Sequence, residues 1–222
     1  MAVKTTAALS ARSSAKARAR PILRRLARAY PDHGPTLEFS TPLDLLVATI
    51  LAAQARDERI NEVTRTLFRK YRTARDYVRV PQSTLEREIR STGFFRQKAK
   101  AVKAMSQGVV DRFGGEVPRD MDALTSLHGV GRKTASVVLG AAFGAPAIAV
   151  DRHVARVAVR LGLSKAAGPE RIEEDLRKLY PPRDWYEVTW TLVFHGRRTC
   201  TPTPECPRCP VRELCPYPRK TR

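Results

Sequence analysis

The sequence predicts an all-α protein. Apolar residues recur at helical spacing in one segment after another, and glycines and capping residues punctuate the segment ends. No stretch sustains the period-two alternation of a half-buried strand. At 222 residues the chain can hold one large core or two modest ones.

The elements follow in order. Residues 1–18 are dominated by Ala, Ser, Thr and Arg, with almost no large apolar side chain. Such a segment cannot bury enough surface to offset its ordering entropy, so it reads as a disordered basic arm. Organellar transit peptides and bacterial basic tails share this composition. Thr41 and Pro42 form a cap and first-turn pair opening the run 43–53, which is apolar nearly all round and predicts a buried central helix. Asp57 is expected to cap a helix that aligns Ile60, Val63, Leu67 and Tyr71 on one stripe. Ser83 and Glu86 read as a capping box, with Gly93 as that helix's stop. Residues 95–113 place Ala99, Val102, Met105, Val109 and Phe113 on one face, ended by Gly114 and Gly115. Further helices are predicted over 120–127, 132–143, 151–161, 169–179 and 184–195, with Gly144, Gly162 and Gly196 at their ends.

The run Leu127-His128-Gly129-Val130-Gly131-Arg132-Lys133-Thr134-Ala135 lies between two of these helices. Two glycines spaced by one residue permit a tight turn, and Val130 between them can plug it into the core. The turn amides and the following helix N-terminus then face outward, an arrangement that binds a phosphate oxygen without reading sequence. This is a helix–hairpin–helix signature. Lys133 has two readings: a phosphate contact, or a nucleophile whose free amine attacks a sugar C1′ or a carbonyl and forms a Schiff base. Its place in the first helical turn, where the dipole disfavours a cation, suits the second. Asp151 opens the next predicted helix and reads as an N-cap; its other oxygen remains available to deprotonate an amine or to stabilise positive charge.

Lys and Arg number 41 against 22 Asp and Glu, a formal charge of +19. Residues 1–29 contain no acid. This imbalance costs self-repulsion that a polyanion relieves, so nucleic acid is the expected partner and an anionic membrane surface the competitor. The longest apolar run, 43–53, is too short to span a bilayer.

All four cysteines lie near the C-terminus as Cys200-x5-Cys206-x2-Cys209-x5-Cys215. Four thiolates this close suit an iron–sulfur cluster or a structural zinc, and spacing alone does not separate the two. Two disulfides are the third option, disfavoured because no signal peptide is visible and the chain reads as intracellular.

Residues 127–163 together with 195–215 resemble the endonuclease III family of DNA glycosylases, and the similarity extends over roughly residues 22–217. The resemblance implies two helical domains with the active cleft between them. One is a six-helix barrel with the helix–hairpin–helix, about 37–146. The other combines 19–36 with 147–222 and holds a [4Fe-4S] cluster on Cys200, Cys206, Cys209 and Cys215. It implies a monomer acting on double-stranded DNA with damaged bases or abasic sites, outside any membrane. In a bacterium this would be the cytoplasm at the nucleoid; in a eukaryote, an organelle or the nucleus.

The implied reaction removes oxidised pyrimidines such as thymine glycol, with Lys133 attacking C1′ and Asp151 assisting, and then nicks the strand by β-elimination. Gln54 is expected to fill the gap left by the flipped nucleotide and Phe94 to wedge into the duplex, while Gly129, Val130, Gly131, Arg132 and His153 face the DNA. His128, Arg152 and the five-residue first cysteine spacing depart from the family pattern. The acidic Glu205 also lies in a loop where the family carries basic residues, a role that Arg197, Arg198 or Arg208 is placed to take over. A non-catalytic DNA-binding relative, or a glycosylase for another lesion, is the alternative.

Overall fold

The structure is a computed structural model that describes residues 9–221. Its elements are helices throughout the described residues, joined by turns and short 3₁₀ segments. The chain divides into two compact units: an inner unit, Pro35–Ala147, and a terminal unit built from the segments up to Gly34 and from Ile148 onward.

The inner unit is organised around α2 (Pro42–Leu51). Thr41 and Asp44 close a reciprocal capping box, and Pro42 takes the first turn. Leu45, Leu46, Val47, Ala48 and Leu51 are completely buried, so the helix has no solvent face, as its continuous apolar run requires. It packs against α3 (Asp57–Lys70), α6 (Phe95–Phe113) and α8 (Arg132–Phe143). The short helices α4 (Ala74–Arg79) and α5 (Gln82–Glu88) lie against α6, and α7 (Met121–Thr125) against α8. Gly114 and Gly144 end α6 and α8 in the left-handed conformation that favours glycine.

Two expected caps are not formed. Asp57 is the first residue of α3 rather than its cap, because its carboxylate accepts the Thr36 hydroxyl instead. Ser83 lies inside α5, which starts one residue earlier behind Pro81, and Glu86 accepts from Gln82 Nε2 at 2.9 Å.

The terminal unit packs α11 (Trp185–Arg198) against α9 (Arg152–Arg160) and α1 (Ala15–Ala29), with α10 (Pro169–Leu179) against α1 and α9. The expected basic arm is shorter than 18 residues: Ser14 caps α1, and the helix runs from Ala15. Residues 1–8 of that arm lie outside the described residues. Arg18 explains the difference. Only 3% exposed, it donates to the carbonyls of Ser13 at 2.8 Å, Leu161 at 2.6 Å, Leu214 at 2.9 Å and Gly162 at 3.3 Å. Lys16, Arg20, Arg24 and Arg28 remain exposed on α1, while Ile22, Leu23 and Leu26 are buried. Gly196 does not end its helix. It lies within α11, at the crossing with α9.

Candidate active site

The predicted hairpin is present. Val130 N donates to Leu127 O at 3.2 Å, Gly129 adopts φ 76°, and Val130 is buried with 4% exposure. Gly129 and Gly131 are exposed on either side. Gly131 is the N-cap of α8 and has no side chain to satisfy the first-turn amides. The start of α8, with no side-chain cap, suits an external anion. Arg132 and Lys133 are the first two residues of α8 and both are exposed.

A groove of about 330 Å³ opens beside this turn within the inner unit, lined among others by Ile50, Gln54, Phe94, Lys98, Gly129 and Thr134. It gathers three of the residues predicted to face DNA: Gln54, Phe94 and Gly129. Thr134 extends it to the turn of α8 that carries Lys133. Gln54 at φ 55° and Phe94 at φ 47° are the two non-glycine residues with positive φ among those described. Phe94 is 60% exposed, whereas Phe95 packs partly buried against the core.

In the terminal unit Asp151 caps α9. Its Oδ1 accepts from His153 N at 2.7 Å and Val154 N at 2.8 Å, and its Oδ2 has no hydrogen-bond partner among the described residues. The cap and the free oxygen coexist, as the chemistry of a cap aspartate allows. His153 is half-buried with its Nδ1 3.2 Å from an Arg156 guanidinium nitrogen, and burial lowers its pKa. Arg152 is exposed beside it.

The four cysteines belong to the same unit. Cys200, Cys206 and Cys215 are buried, Cys209 is partly so, and none is in a disulfide. Burial pushes the Cys209 thiol up to about 11 and raises that of Cys215; a metal reverses this by holding the sulfurs as thiolates. Two arginines of α9 grip the segment that carries the first cysteine. Arg156 donates to Cys200 O at 2.9 Å and Gly196 O at 2.7 Å, and Arg160 to Thr201 O at 2.6 Å and Pro202 O at 2.9 Å. Arg160 also reaches Cys200 Sγ at 3.5 Å. No group of three or more His, Cys, Asp or Glu among the described residues is drawn tightly enough to hold a single metal ion.

Two arginines that stood as substitutes for the missing basic residues of the cysteine loop are already paired. Arg198 makes a bidentate pair with Asp32, at 3.0 and 2.6 Å, and Arg208 meets Glu205 at 3.2 Å. Sequence reasoning also missed Lys98, Arg18, Arg156 and Arg160. Lys98, Arg156 and Arg160 keep helical register on their helices, and Arg18 fell in the presumed arm. What marks all four is backbone carbonyls as partners, which no local pattern displays.

The chain matches the HhH-GPD superfamily of base excision DNA repair proteins over residues 47–182. It is 47% identical over 206 residues to the endonuclease III of a Synechocystis species, covering 92% of this chain and 94% of that one. It is 43% identical over 195 residues to the endonuclease III of Bacillus subtilis, covering 87% and 89%. A solved structure described as a trapped endonuclease III–DNA covalent intermediate, an estranged-adenine complex, superposes with a TM-score of 0.85 at 44% identity, covering 90% of this chain and 95% of that one. The protein is thus a helix–hairpin–helix base-excision repair protein by class. Within that class, the chain belongs to the endonuclease III family, whose members are DNA glycosylases with AP lyase activity.

Proposed function

We propose that this enzyme excises oxidised pyrimidines, thymine glycol among them, from duplex DNA and cleaves the resulting abasic site. The observation that carries the reading is the groove that gathers Gln54, Phe94 and Gly129 next to the turn bearing Lys133. The uncapped amides of α8 and the turn at Gly129 suit a phosphate, which positions DNA without selecting sequence. Phe94 stands out from the surface as an intercalating side chain must, and Gln54 offers an amide to an orphaned base. Flipping a nucleotide costs a few kcal/mol, least for a damaged pair, so lesions are favoured before any chemistry occurs.

Lys133 is the proposed nucleophile. Its amine attacks C1′, the bond from C1′ to the base breaks with the electron pair leaving on the base, and the sugar ring opens to an imine. Loss of a C2′ proton then expels the 3′ phosphate, which is β-elimination. Asp151 is the proposed acceptor of the ammonium proton, through the oxygen its capping role leaves free. The covalent intermediate named for the relative agrees with this route.

Cys200, Cys206, Cys209 and Cys215 would hold a [4Fe-4S] cluster. A single zinc requires four sulfurs at about 2.3 Å from one point. Membership of the endonuclease III family supports a cluster over zinc at these four cysteines. The cluster would supply cross-linking of the C-terminal segment and a redox centre, with no part in bond cleavage at the sugar. The enzyme would act at the nucleoid, a reading that its similarity to bacterial relatives supports; no helix among the described residues is long and apolar enough to cross a membrane.

The test is product analysis on matched duplexes with thymine glycol or thymine at one position. Free base and a nick with a β-eliminated 3′ end, from the damaged duplex alone, are expected. Cleavage of neither duplex, with tight binding to both, would establish a binding protein instead.

A further inference from the structure

Phe94 follows Gly93, and the two occupy consecutive positive-φ conformations: φ 70°, ψ 155° at Gly93 and φ 47°, ψ 30° at Phe94. The left-handed conformation is unfavourable for a residue with a side chain. Phe94, at 60% exposure, cannot offset that by its own packing. The loop must be held in place by its neighbours.

Lys98 is the neighbour that does so. It is 5% exposed, and its side chain folds back along α6 so that Nζ donates to Thr92 O at 2.6 Å. Its backbone N donates to Phe94 O at 3.0 Å. Thr92 is fixed in turn, buried with its hydroxyl donating to Ile89 O at 2.8 Å. One residue therefore ties both sides of the Gly93–Phe94 pair. Lysine is a costly choice for this task. No acid pairs with it among the described residues, and desolvation lowers its pKa. An apolar side chain would fill the space without burying a charge. What the ammonium adds is a fixed loop, and it adds it at the edge of the groove.

We infer that Lys98 is a positioning residue for strand insertion, holding the Thr92 carbonyl so that Phe94 stays in the pose from which it enters the duplex. Lys98 thereby acts on nucleotide flipping rather than on the chemistry at C1′. The inference rests on Phe94 being the wedge.

A double-mutant cycle tests it. Wild type, Phe94→Ala, Lys98→Met and the double variant are compared in single-turnover base release from a thymine glycol duplex. Each is also compared in nicking an abasic site in single-stranded DNA, where there is no opposite strand to wedge. Thermal unfolding confirms that each variant is folded, and Lys98→Gln replaces Lys98→Met if the latter is not. Each single variant is expected to lose about tenfold on the duplex relative to the single strand, and the double variant no more than either. Lys98→Arg, which keeps the cation and donor, should recover most of the loss. No effect of Phe94→Ala would remove the wedge reading and the inference with it. A slowed Phe94→Ala with additive losses in the double variant, about a hundredfold, would overturn the inference alone and mark Lys98 as an independent DNA contact. Equal loss on both substrates would reduce it to a structural lysine.

Discussion

Gly196 lies against His153 so closely that a Cβ at position 196 would fall 2.9 Å from the His153 Cβ and 3.2 Å from Val157 Cγ2. The absence of a side chain lets α11 and α9 cross at this distance, and α9 carries Asp151 at its N-cap and His153 in its first turn. The atom in the way is a Cβ, which moves only with its backbone.

Gly196→Ala is therefore expected to destabilise the protein by about 1–3 kcal/mol through overpacking. It should also slow base release beyond what unfolding explains, since α9 must shift. Thermal unfolding and single-turnover rates below the transition report the two effects separately; an unchanged midpoint would mean that the crossing is looser than described.

Asp151 separates capping from chemistry. Asparagine caps a helix as well as aspartate does, whereas alanine costs typically about 1 kcal/mol. Asp151→Asn should keep the wild-type unfolding midpoint and still lose at least about a hundredfold in base release, the scale of a general base. Asp151→Ala should show both defects. If Asp151→Asn is fully active, the residue is a cap and nothing more.

Arg18 is expected to be the principal anchor of α1. Replacing it with Met leaves the Leu161 and Leu214 carbonyls buried without their donor. The loss should be about 3 kcal/mol or more, from bonds to a charged donor and unsatisfied acceptors. Chemical denaturation of Arg18→Met measures it, and Arg20→Met, at an exposed position on the same helix, should change the unfolding free energy by no more than about 0.5 kcal/mol.

Purified protein is expected to be brown, and Cys209→Ser to lose both the colour and the iron. A colourless protein holding one equivalent of zinc would contradict the cluster assignment, because zinc has no visible transition of its own.

Much of this was legible in the sequence because its causes are local. Thr41 and Pro42 start α2, residues 95–113 keep one apolar face, and Gly144 can adopt the backbone that stops α8. The hairpin was legible for the same reason: Gly129-Val130-Gly131 dictates a turn with a plug. Where the sequence misled, the deciding partner was remote or competing. Thr36 draws Asp57 away from a cap 21 positions along the chain, and Pro81 starts α5 ahead of Ser83. Gly196 reads as a stop until α9 is placed against it. Arg18 reads as arm until carbonyls more than 140 residues away are placed around it. Lys98 is invisible as a clamp because its partner is the Thr92 carbonyl, a backbone group with no signature.

The most direct measurement of the central claim is borohydride trapping on a duplex with thymine glycol, with Lys133→Ala alongside. Lys133 is exposed, so the variant should fold and bind DNA like the wild type. Reduction of an imine should yield a covalent protein–DNA adduct for the wild type and none for the variant. An adduct that persists in Lys133→Ala would assign the nucleophile elsewhere, and no adduct from an active wild type would replace the lysine imine with a route through water.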